Sequence, residues 1–484
     1  MYNTPLEVEE YLDANLGLYA QDSWHVNKLT INAGLRYDYV KQHIVGQKAQ
    51  VGRFAASPAY DDISMPVWKD FSPRTSAVYD VFGNGKTAIR GGFNRFMTAA
   101  TTGFAQLYNP TASTSQTLTW TDSNGDDIAQ GDRGCVYLSA GCEINFANLP
   151  SNFGVRSLAR FDENLARPYQ LAYNVGLSHE VFTGVAVTAE WFHSSFKDLI
   201  ARNNMALSAS DYTPVTVYNP VTKGTVTAYN LAASKASAVD YLDSNDPDLQ
   251  RSYDGIEINF NARLPKGARL FGGSSTERTV ANSCSAAGHN PNLLAFCDQS
   301  QYDIPFTTSF KLAGTYPLPF YGITFSGSLQ ALAGALLGAD ALPYGVFTAG
   351  TGWDATGAAA GPNGRGTYLL VTPTTIWTAA TCTDTSKCTI GQRVIPGMTQ
   401  SSLTIPLVPA QTEYAPRLTQ VDFSFAKNFT VRGVRINPKL DIFNAFNADD
   451  YTAVSSTQFA AATYQRPSVI LQGRIIRFGA DIKW

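Results

Sequence analysis

Six cysteines are the residues of this sequence whose types and spacing most readily do chemistry. They stand as three close pairs, at positions 135 and 142, 284 and 297, and 382 and 388. Thiols close together in exported loops oxidise to disulfides, whereas zinc sites use CxxC or paired-histidine spacings that this sequence does not show. We therefore predict the disulfides Cys135–Cys142, Cys284–Cys297 and Cys382–Cys388, with free thiols or a metal site as the alternative.

Neither the glycine-rich string at 83–87 nor the five histidines form a recognisable functional site. The string Gly83-Asn-Gly-Lys-Thr87 resembles the end of a phosphate-binding loop, but Asp80 stands where that motif requires its first glycine. The five histidines are scattered, with no triad or metal-binding spacing. A β-turn is the simpler interpretation of the glycine-rich string, and His179, beside Glu180 at a strand end, is interpreted as a surface residue. We predict no catalytic residue, no metal, no cofactor and no enzymatic activity.

Composition narrows the class of protein. Of 484 residues, 15% are charged and 12% are aromatic, and the net charge is −3. This much aromatic content argues against disorder, and the absence of a basic excess argues against a nucleic-acid partner. No run approaches the roughly 18 apolar residues of a membrane helix.

The dominant periodicity along the chain is two residues. From Leu29 to Tyr39, apolar residues alternate with polar ones, and 169–177 and 256–263 repeat the pattern. Successive side chains of a strand point to opposite faces, so each segment has one apolar side and one polar side. About 13 strands follow, at 16–26, 29–39, 71–82, 86–96, 169–177, 185–194, 256–263, 268–279, 310–316, 323–330, 418–427, 434–443 and 469–484.

The connections alternate between short turns and long loops. Every second connection is a short turn rich in Gly, Asn and Pro. The long loops between them lie at about 40–70, 97–167, 195–252, 280–306, 335–415 and 445–467. Short periplasmic turns and long extracellular loops are typical of a transmembrane β-barrel of the Gram-negative outer membrane. We predict an all-β fold of this kind, an antiparallel barrel segment; a soluble all-β protein is the alternative.

Polar side chains on the strands are expected to face a wet barrel interior. They include Asp22, Arg36, Asp38, Arg90, Glu257, Arg263, Lys311, Asp422, Asp481 and Lys483. Aromatic residues of the long loops bind ligand or pack the loops together, and we favour packing. They are Tyr108, Trp120, Tyr137, Phe146, Tyr344, Phe347, Trp353, Tyr368 and Trp377.

Strand parity and the N-terminus favour an incomplete barrel. Thirteen antiparallel strands that end at the periplasm begin outside the cell, whereas a complete barrel needs an even number of strands. Residues 1–25 lack the basic start, apolar core and cleavage site of a secretion signal. We expect that residues 1–484 are the C-terminal part of a larger barrel, with no signal peptide and no plug domain.

Several strings resemble TonB-dependent outer-membrane receptors, specifically the Oar-like group. They are Tyr19-Ala-Gln-Asp-Ser-Trp24, Leu29 to Tyr39, Phe71-Ser-Pro-Arg74, Arg90-Gly-Gly-Phe93, Arg167-Pro-Tyr-Gln170, Tyr253 to Ile258 and Asp441-Ile-Phe-Asn-Ala-Phe-Asn447. The resemblance runs in order over nearly the whole chain. It implies a 22-strand barrel around a plug, of which this chain would supply about 13–14 strands.

The resemblance also gives the C-terminus a role. Outer-membrane barrels end in a spaced pattern of polar, Gly, apolar and aromatic residues, which Arg477, Gly479, Ile482 and Trp484 match. The family more often ends in Phe, so Trp484 is a departure. Recognition of this last strand by the barrel assembly machinery is what the resemblance implies, and an ordinary amphipathic edge strand is the alternative.

The function implied by the resemblance is gated, TonB-dependent uptake of a scarce substrate. Its partners would be outer-membrane lipid, TonB acting through a plug that this chain lacks, and a substrate that is a siderophore, cobalamin, oligosaccharide or peptide. The alternative is a passive porin-like or adhesive barrel without TonB. A secreted carbohydrate-active enzyme, which needs a carboxylate pair in a cleft, is a third class.

Overall fold

The computed structural model describes residues 7–111, 116–149, 159–236, 238–285, 288–337, 368–371, 399–400, 403–459 and 461–484. Thirteen long antiparallel strands form one sheet in chain order, which confirms the all-β antiparallel prediction. Two short strands, Ile63–Ser64 and Phe429–Val431, bring the sheet to 15 strands. The long strands are β1 (Glu10–Val26), β2 (Leu29–Ile44), β3 (Trp68–Asp80), β4 (Thr87–Met97), β5 (Tyr169–Phe182), β6 (Val185–Lys197), β7 (Gln250–Arg263), β8 (Arg269–Asn282), β9 (Thr307–Pro317), β10 (Ile323–Leu332), β11 (Leu418–Lys427), β12 (Val434–Phe443) and β13 (Ile475–Lys483).

Tight turns fix the register of the hairpins. The turn between β5 and β6 contains Gly184 with a φ of 83°, a left-handed conformation that glycine adopts without strain. Its N–H donates to Oε1 of Glu180 at 2.9 Å, and its carbonyl accepts the N–H of Arg263 at 2.7 Å. The turn therefore also holds the end of β7 against the β5–β6 hairpin.

Substitution of Gly184 tests this arrangement. A Cβ at Gly184 would lie 2.8 Å from the carbonyl oxygen of Arg263, in addition to the strain of a left-handed residue. Gly85 has a φ of 71° and no atom within 4 Å of an added Cβ, so it is the matched control. We expect Gly85→Ala to lose about 1–2 kcal/mol from conformational strain alone and Gly184→Ala to lose more, measured as the urea midpoint of unfolding. Equal losses would contradict a steric role for the Gly184 turn.

Cross-strand pairing gives the sheet two chemically distinct faces. Directly paired residues share a face, so the outward face carries Leu29, Ile31, Leu35 and Tyr37 of β2 together with their cross-strand partners. Several side chains of this face are exposed in the isolated chain; Leu35 is 49% exposed, and the cross-strand partners Trp24 and Phe71 are 49% and 55% exposed. The opposite face, here called the inner face, holds the polar alternates, as the periodicity predicts.

Asp22 corrects one assignment made from the sequence. The register pairs Asp22 with Ala33, which places it on the outward face with Leu18 and Trp24. The segment has no irregularity after the bulge between Leu12 and Ala14, so the alternation is unbroken at Asp22. The other nine polar strand residues named above lie on the inner face by the same pairing logic.

The two ends of the sheet do not meet within the part of the chain that the structure describes. Among the described residues, β1 pairs only with β2, and β13 pairs only with β12. Both terminal strands run in the same direction, because an antiparallel chain reverses twelve times between the first and the thirteenth strand. Unpaired backbone groups at such edges are costly in hydrocarbon, so closure into a 22-strand barrel stays a prediction that requires further strands.

The long loops contain their own small elements. Short strands lie at Gln50–Val51, Ala56–Ser57, Ala159–Phe161, Ile200–Asn204, Tyr212–Asn219, Gly224–Leu231, Tyr241–Asn245, Tyr368–Val371, Leu403–Pro406, Tyr451–Val454 and Pro467–Ile470. One α-helix spans Thr102–Gln106, and 3-10 turns lie at Phe146–Asn148, Ala209–Asp211, Ala233–Lys235, Pro265–Gly267, Pro291–Leu293 and Gln299–Gln301. None of the helices in the described ranges is long and apolar enough to cross a membrane.

Candidate functional site: the inner face and its loop cap

Ion pairs between strands organise the inner face. Arg90 of β4 pairs with Glu190 of β6 across the intervening strand β5. Gly176 of β5 lies between them, and a Cβ there would come within 3.2 Å of both side chains. At the other end of the sheet, Arg477 Nη2 of β13 lies 2.8 Å from Asp441 Oδ2 of β12. The inner face is therefore a polar surface that carries several ion pairs between its strands.

Two open hollows lie on this polar surface. The larger, about 680 Å³, is lined by residues of β1 to β4 and contains Arg36 and Arg74. Arg36 is paired with Asp38 at 2.8 Å, while the guanidinium of Arg74 lies 5.0 Å from the ring centre of Phe96. The second, about 580 Å³, lies over β6 to β9 and is lined by Glu257, Asn259, Lys311 and their neighbours. Both are bordered by charged side chains, as expected of a barrel interior.

A cluster of buried apolar side chains closes the inner face at its loop end. We call it the loop cap; its members are Val40, Ile44, Met65, Trp68, Ala100, Phe104, Ala105, Tyr108, Ala159, Leu165 and Ile200. Strand residues such as Trp68 supply one side, and the helix Thr102–Gln106 supplies the other, with the rings of Trp68 and Phe104 4.8 Å apart. The long loops therefore fold inward over the inner face.

A buried ion pair lies beside the loop cap. Arg202 donates from Nε and Nη2 to the two carboxylate oxygens of Asp243, at 2.8 and 2.7 Å. The hydroxyl of Tyr108 donates to Asp243 Oδ2 at 2.7 Å. Asp243 is fully buried, and burial followed by the charge of Asp243 raises the pKa of the Tyr108 phenol well above its usual value. Tyr108 thus stays protonated as a donor and joins the loop 97–167 to the loop 195–252.

Sequence reasoning missed this network. Tyr108 and Asp243 are 135 positions apart, and no local spacing signals their contact. The one sequence signal is the pair Phe104 and Tyr108, which are four residues apart and whose rings lie 5.4 Å apart. The prediction that loop aromatics pack is right for Tyr108, which is 2% exposed, while Trp120 is 41% exposed. Tyr344, Phe347, Trp353 and Trp377 lie outside the described residues.

Two of the three predicted disulfides are present. Cys135 and Cys142 are joined with Cα atoms 5.9 Å apart, and Cys284 and Cys297 are joined with Cα atoms 4.9 Å apart. The predicted pair Cys382–Cys388 lies outside the described residues. Each bridge lies within one long loop.

Removal of the Cys135–Cys142 bridge should loosen its own loop alone. We expect the double variant Cys135→Ser/Cys142→Ser to destabilise residues 120–145 by about 2 kcal/mol, from the entropy that a short cross-linked loop saves. Hydrogen exchange measured by mass spectrometry should accelerate there and stay unchanged in β1 to β13. Cys284→Ser/Cys297→Ser is the matched control, whose effect should map to 283–298. Faster exchange of the long strands in either variant would contradict this.

Three carboxylates approach each other beside that bridge. Oxygens of Asp122, Asp126 and Glu143 lie within 4.8 Å of one another, a grouping that the sequence did not predict. The buried Glu143 accepts the N–H and hydroxyl of Ser123, both at 2.8 Å. Asp122 accepts the N–H of Gly125 at 2.6 Å. Protein donors therefore already engage these carboxylates and hold the turn.

The residues of the proposed C-terminal signal lie on β13. Arg477 and Gly479 face the inner side opposite Asp441 and Lys439, and Ile482 faces outward opposite Ile436. Trp484 follows the strand and is 97% exposed. The alternation is that of an amphipathic barrel strand, and recognition by the assembly machinery stays a prediction.

The comparison with protein families decides the class of the chain. Residues 3–477 match the family model described as "Outer membrane beta barrel domain". The chain belongs to the outer membrane beta barrel domain family. It is therefore an outer-membrane β-barrel protein, as the alternation of turns and loops predicted, and the match points to a non-enzymatic protein. A search of curated proteins finds no match.

Solved structures similar to this barrel domain include three outer-membrane proteins. The outer membrane transporter YddB from Escherichia coli is 11% identical with a TM-score of 0.44, and the match covers 98% of this chain and 54% of that one. The FrpB iron transporter from Neisseria meningitidis is 11% identical with a TM-score of 0.44, covering 96% and 44%. The ferripyoverdine receptor of Pseudomonas aeruginosa is 12% identical with a TM-score of 0.44, covering 99% and 39%. The barrel domain spans about half the length of these proteins, or less.

Proposed function

We propose that the chain is the C-terminal wall segment of a TonB-dependent, Oar-like transporter that takes up a scarce substrate through the outer membrane. The single observation that supports this most is the two-faced sheet, which has a polar inner face, a loop cap over its outer end and two edges that no described strand pairs with. In the complete transporter, further strands would join the edges of β1 and β13, and a plug would occupy the inner face.

The outer loops and the inner face would have different roles in transport. The outer loops, which are cross-linked by disulfides and packed into the loop cap, would bind the substrate. The charges of the inner face would contact a polar plug, whose rearrangement by TonB would open the path. This segment would carry out no covalent chemistry, since its part is binding and enclosure. The last strand β13, with Arg477, Gly479, Ile482 and Trp484, would be read by the barrel assembly machinery.

A test of epistasis distinguishes energised from passive uptake. Cells that lack the gene for this chain, cells that lack TonB and cells that lack both would be compared for uptake of labelled siderophore, cobalamin, oligosaccharide and peptide. The proposal predicts one substrate whose uptake falls to the same low level in all three strains. Uptake that depends on this gene and persists without TonB would instead support the passive porin-like alternative.

A further inference from the structure

Basic residues gather on the outward face near the extracellular ends of the strands. The strand pairing puts six lysines and arginines of the thirteen long strands on this face, and five of them stand eight to twelve residues from the short-turn end of their strand. We call these five the outer belt; they are Lys41, Lys69, Arg95, Lys197 and Arg278. Because a membrane strand needs about 9–11 residues to cross, the outer belt lies at the level of the outer-leaflet headgroups.

Acidic residues do not neutralise the outer belt. Three carboxylates toward this end of the sheet have cationic partners of their own, in the pairs Asp13–His43, Asp254–His193 and Asp70–Arg167, at 2.8, 2.8 and 3.3 Å. Asp70 also attracts Arg95 through its charge, from the inner face. Within the ranges that the structure describes, no ion pair joins a member of the outer belt to a carboxylate. The outward face therefore presents positive charge where the strands leave the hydrocarbon.

Two members of the outer belt flank one tyrosine. The guanidinium of Arg95 in β4 lies 3.8 Å from the ring centre of Tyr169 in β5, and Lys197 in β6 is directly opposite Tyr169. Nη1 of Arg95 donates to the carbonyl oxygen of Phe71 at 3.3 Å, whereas its Nε has no partner. The ring and the carbonyl hold the guanidinium in place and leave a donor for a ligand.

An apolar surface continues from these cations toward the periplasm. Leu171 is directly opposite Arg95, and the outward residues of β5 that follow it are Tyr173, Val175 and Leu177. Val175 is 55% exposed and Leu177 is 46% exposed. A ligand that fits both parts has an anionic head at Arg95 and Lys197 and hydrocarbon chains below them.

We propose that Arg95, Lys197 and the ring of Tyr169 form a binding site for a lipid A phosphate of lipopolysaccharide. The outer leaflet of a Gram-negative outer membrane consists largely of this phosphorylated glycolipid, whereas the inner leaflet consists of phospholipid. The extracellular position of the outer belt therefore selects lipid A. Its phosphate oxygens accept charge-assisted hydrogen bonds from the guanidinium and the ammonium group, and its acyl chains lie along Leu171 to Leu177. Basic clusters beside a membrane attract anionic headgroups in the same way.

The first test compares phosphorylated lipid A with the same lipid A after enzymatic dephosphorylation. Each form is mixed with the full chain folded in detergent, and native mass spectrometry measures the lipid that is retained. The variants are Arg95→Gln, Lys197→Gln and the double substitution. Lys427→Gln is the matched control, because Lys427 is the sixth outward cation and lies at the periplasmic end of β11, opposite Ile323. Heat-dependent electrophoretic mobility measures the folded fraction of each variant.

We expect the chain to retain the phosphorylated form preferentially. Arg95→Gln and Lys197→Gln should each lower this preference about fivefold, and the double substitution should lower it about 25-fold. Lys427→Gln should leave it unchanged. Equal retention of the two forms of lipid A, or a preference that survives the double substitution, would overturn the proposal.

A second test in cells does not require refolding. The photoreactive residue p-benzoylphenylalanine, placed at Leu171 in the full chain, should cross-link to lipopolysaccharide on irradiation, and Arg95→Gln with Lys197→Gln should lower the yield about fivefold or more. The matched position is Leu177, six residues nearer the periplasm on the same face of β5, where we expect cross-links to phospholipid. Cross-links from position 171 that go mainly to phospholipid, or that are unchanged in the double variant, would contradict the proposal.

Discussion

Replacement of Asp243 by asparagine is expected to open the loop cap. The substitution keeps the shape of the side chain but removes the carboxylate that accepts two bonds from Arg202 and one from Tyr108. A buried arginine that loses its countercharge costs about 3–5 kcal/mol. Hydrogen exchange at 102–108 and 200–204 should therefore accelerate by about a hundredfold to a few thousandfold, with the long strands unchanged.

Asp240 supplies the matched control for this prediction. It forms a comparable two-point pair with Arg160, at 3.0 and 2.8 Å, but its side chain is 42% exposed. An exposed pair of this kind contributes about 0–1 kcal/mol, so Asp240→Asn should change exchange by less than about fivefold. Similar effects of the two substitutions would show that burial of the Asp243 pair does not hold the loops together.

The second large effect is expected from an arginine on the outward face. Ile258 of β7 pairs with Ala189 and Ser274, faces outward and is 47% exposed. An arginine on the lipid side of a barrel costs about 2–4 kcal/mol near the bilayer midplane. We expect Ile258→Arg to lower the free energy of unfolding of the membrane-inserted chain by that amount. Urea titration in lipid vesicles measures this free energy.

The neighbouring position separates the lipid contact from a general intolerance of arginine. Asn259 is one residue further along β7 and lines the polar hollow of the inner face with Glu257 and Lys311. Asn259→Arg should therefore leave the free energy of unfolding within about 0.5 kcal/mol of that of the unsubstituted chain. Equal losses at 258 and 259 would contradict the assignment of the two faces.

The strands were predictable because their signals are local. Alternation from Leu29 to Tyr39 and a turn at Asn27-Lys28 specify β2 and its pairing with β1 without knowledge of distant residues. All thirteen long strands of the sheet overlap predicted ones for the same reason. The disulfides Cys135–Cys142 and Cys284–Cys297 also depend on short spacings, 7 and 13 positions.

The loop structure was not predictable because its contacts are distant in sequence. Trp68 donates to the carbonyl of Leu165 from 97 positions away, and the loop cap joins five segments of the chain. The prediction for Asp22 was wrong for a different reason. Its charge suggested the inner face, whereas the unbroken register of β1 places it on the outward face. Strands Tyr212–Asn219 and Gly224–Leu231 form a hairpin, and their alternating valines could have indicated it. The sequence analysis instead predicted one long loop over 195–252.

Spin labels placed singly along β2 test the central claim most directly. Labels at 29 to 39, in bilayers, would be exposed to oxygen, which dissolves in hydrocarbon, and to a polar nickel chelate, which stays in water. Because β2 alternates between the two faces, we expect oxygen to dominate at the odd positions and the chelate at the even positions. Odd positions shielded from both reagents would mean that Leu29, Ile31 and Leu35 lie in a dry protein core, and the assignment of an outward, lipid-facing surface would be wrong.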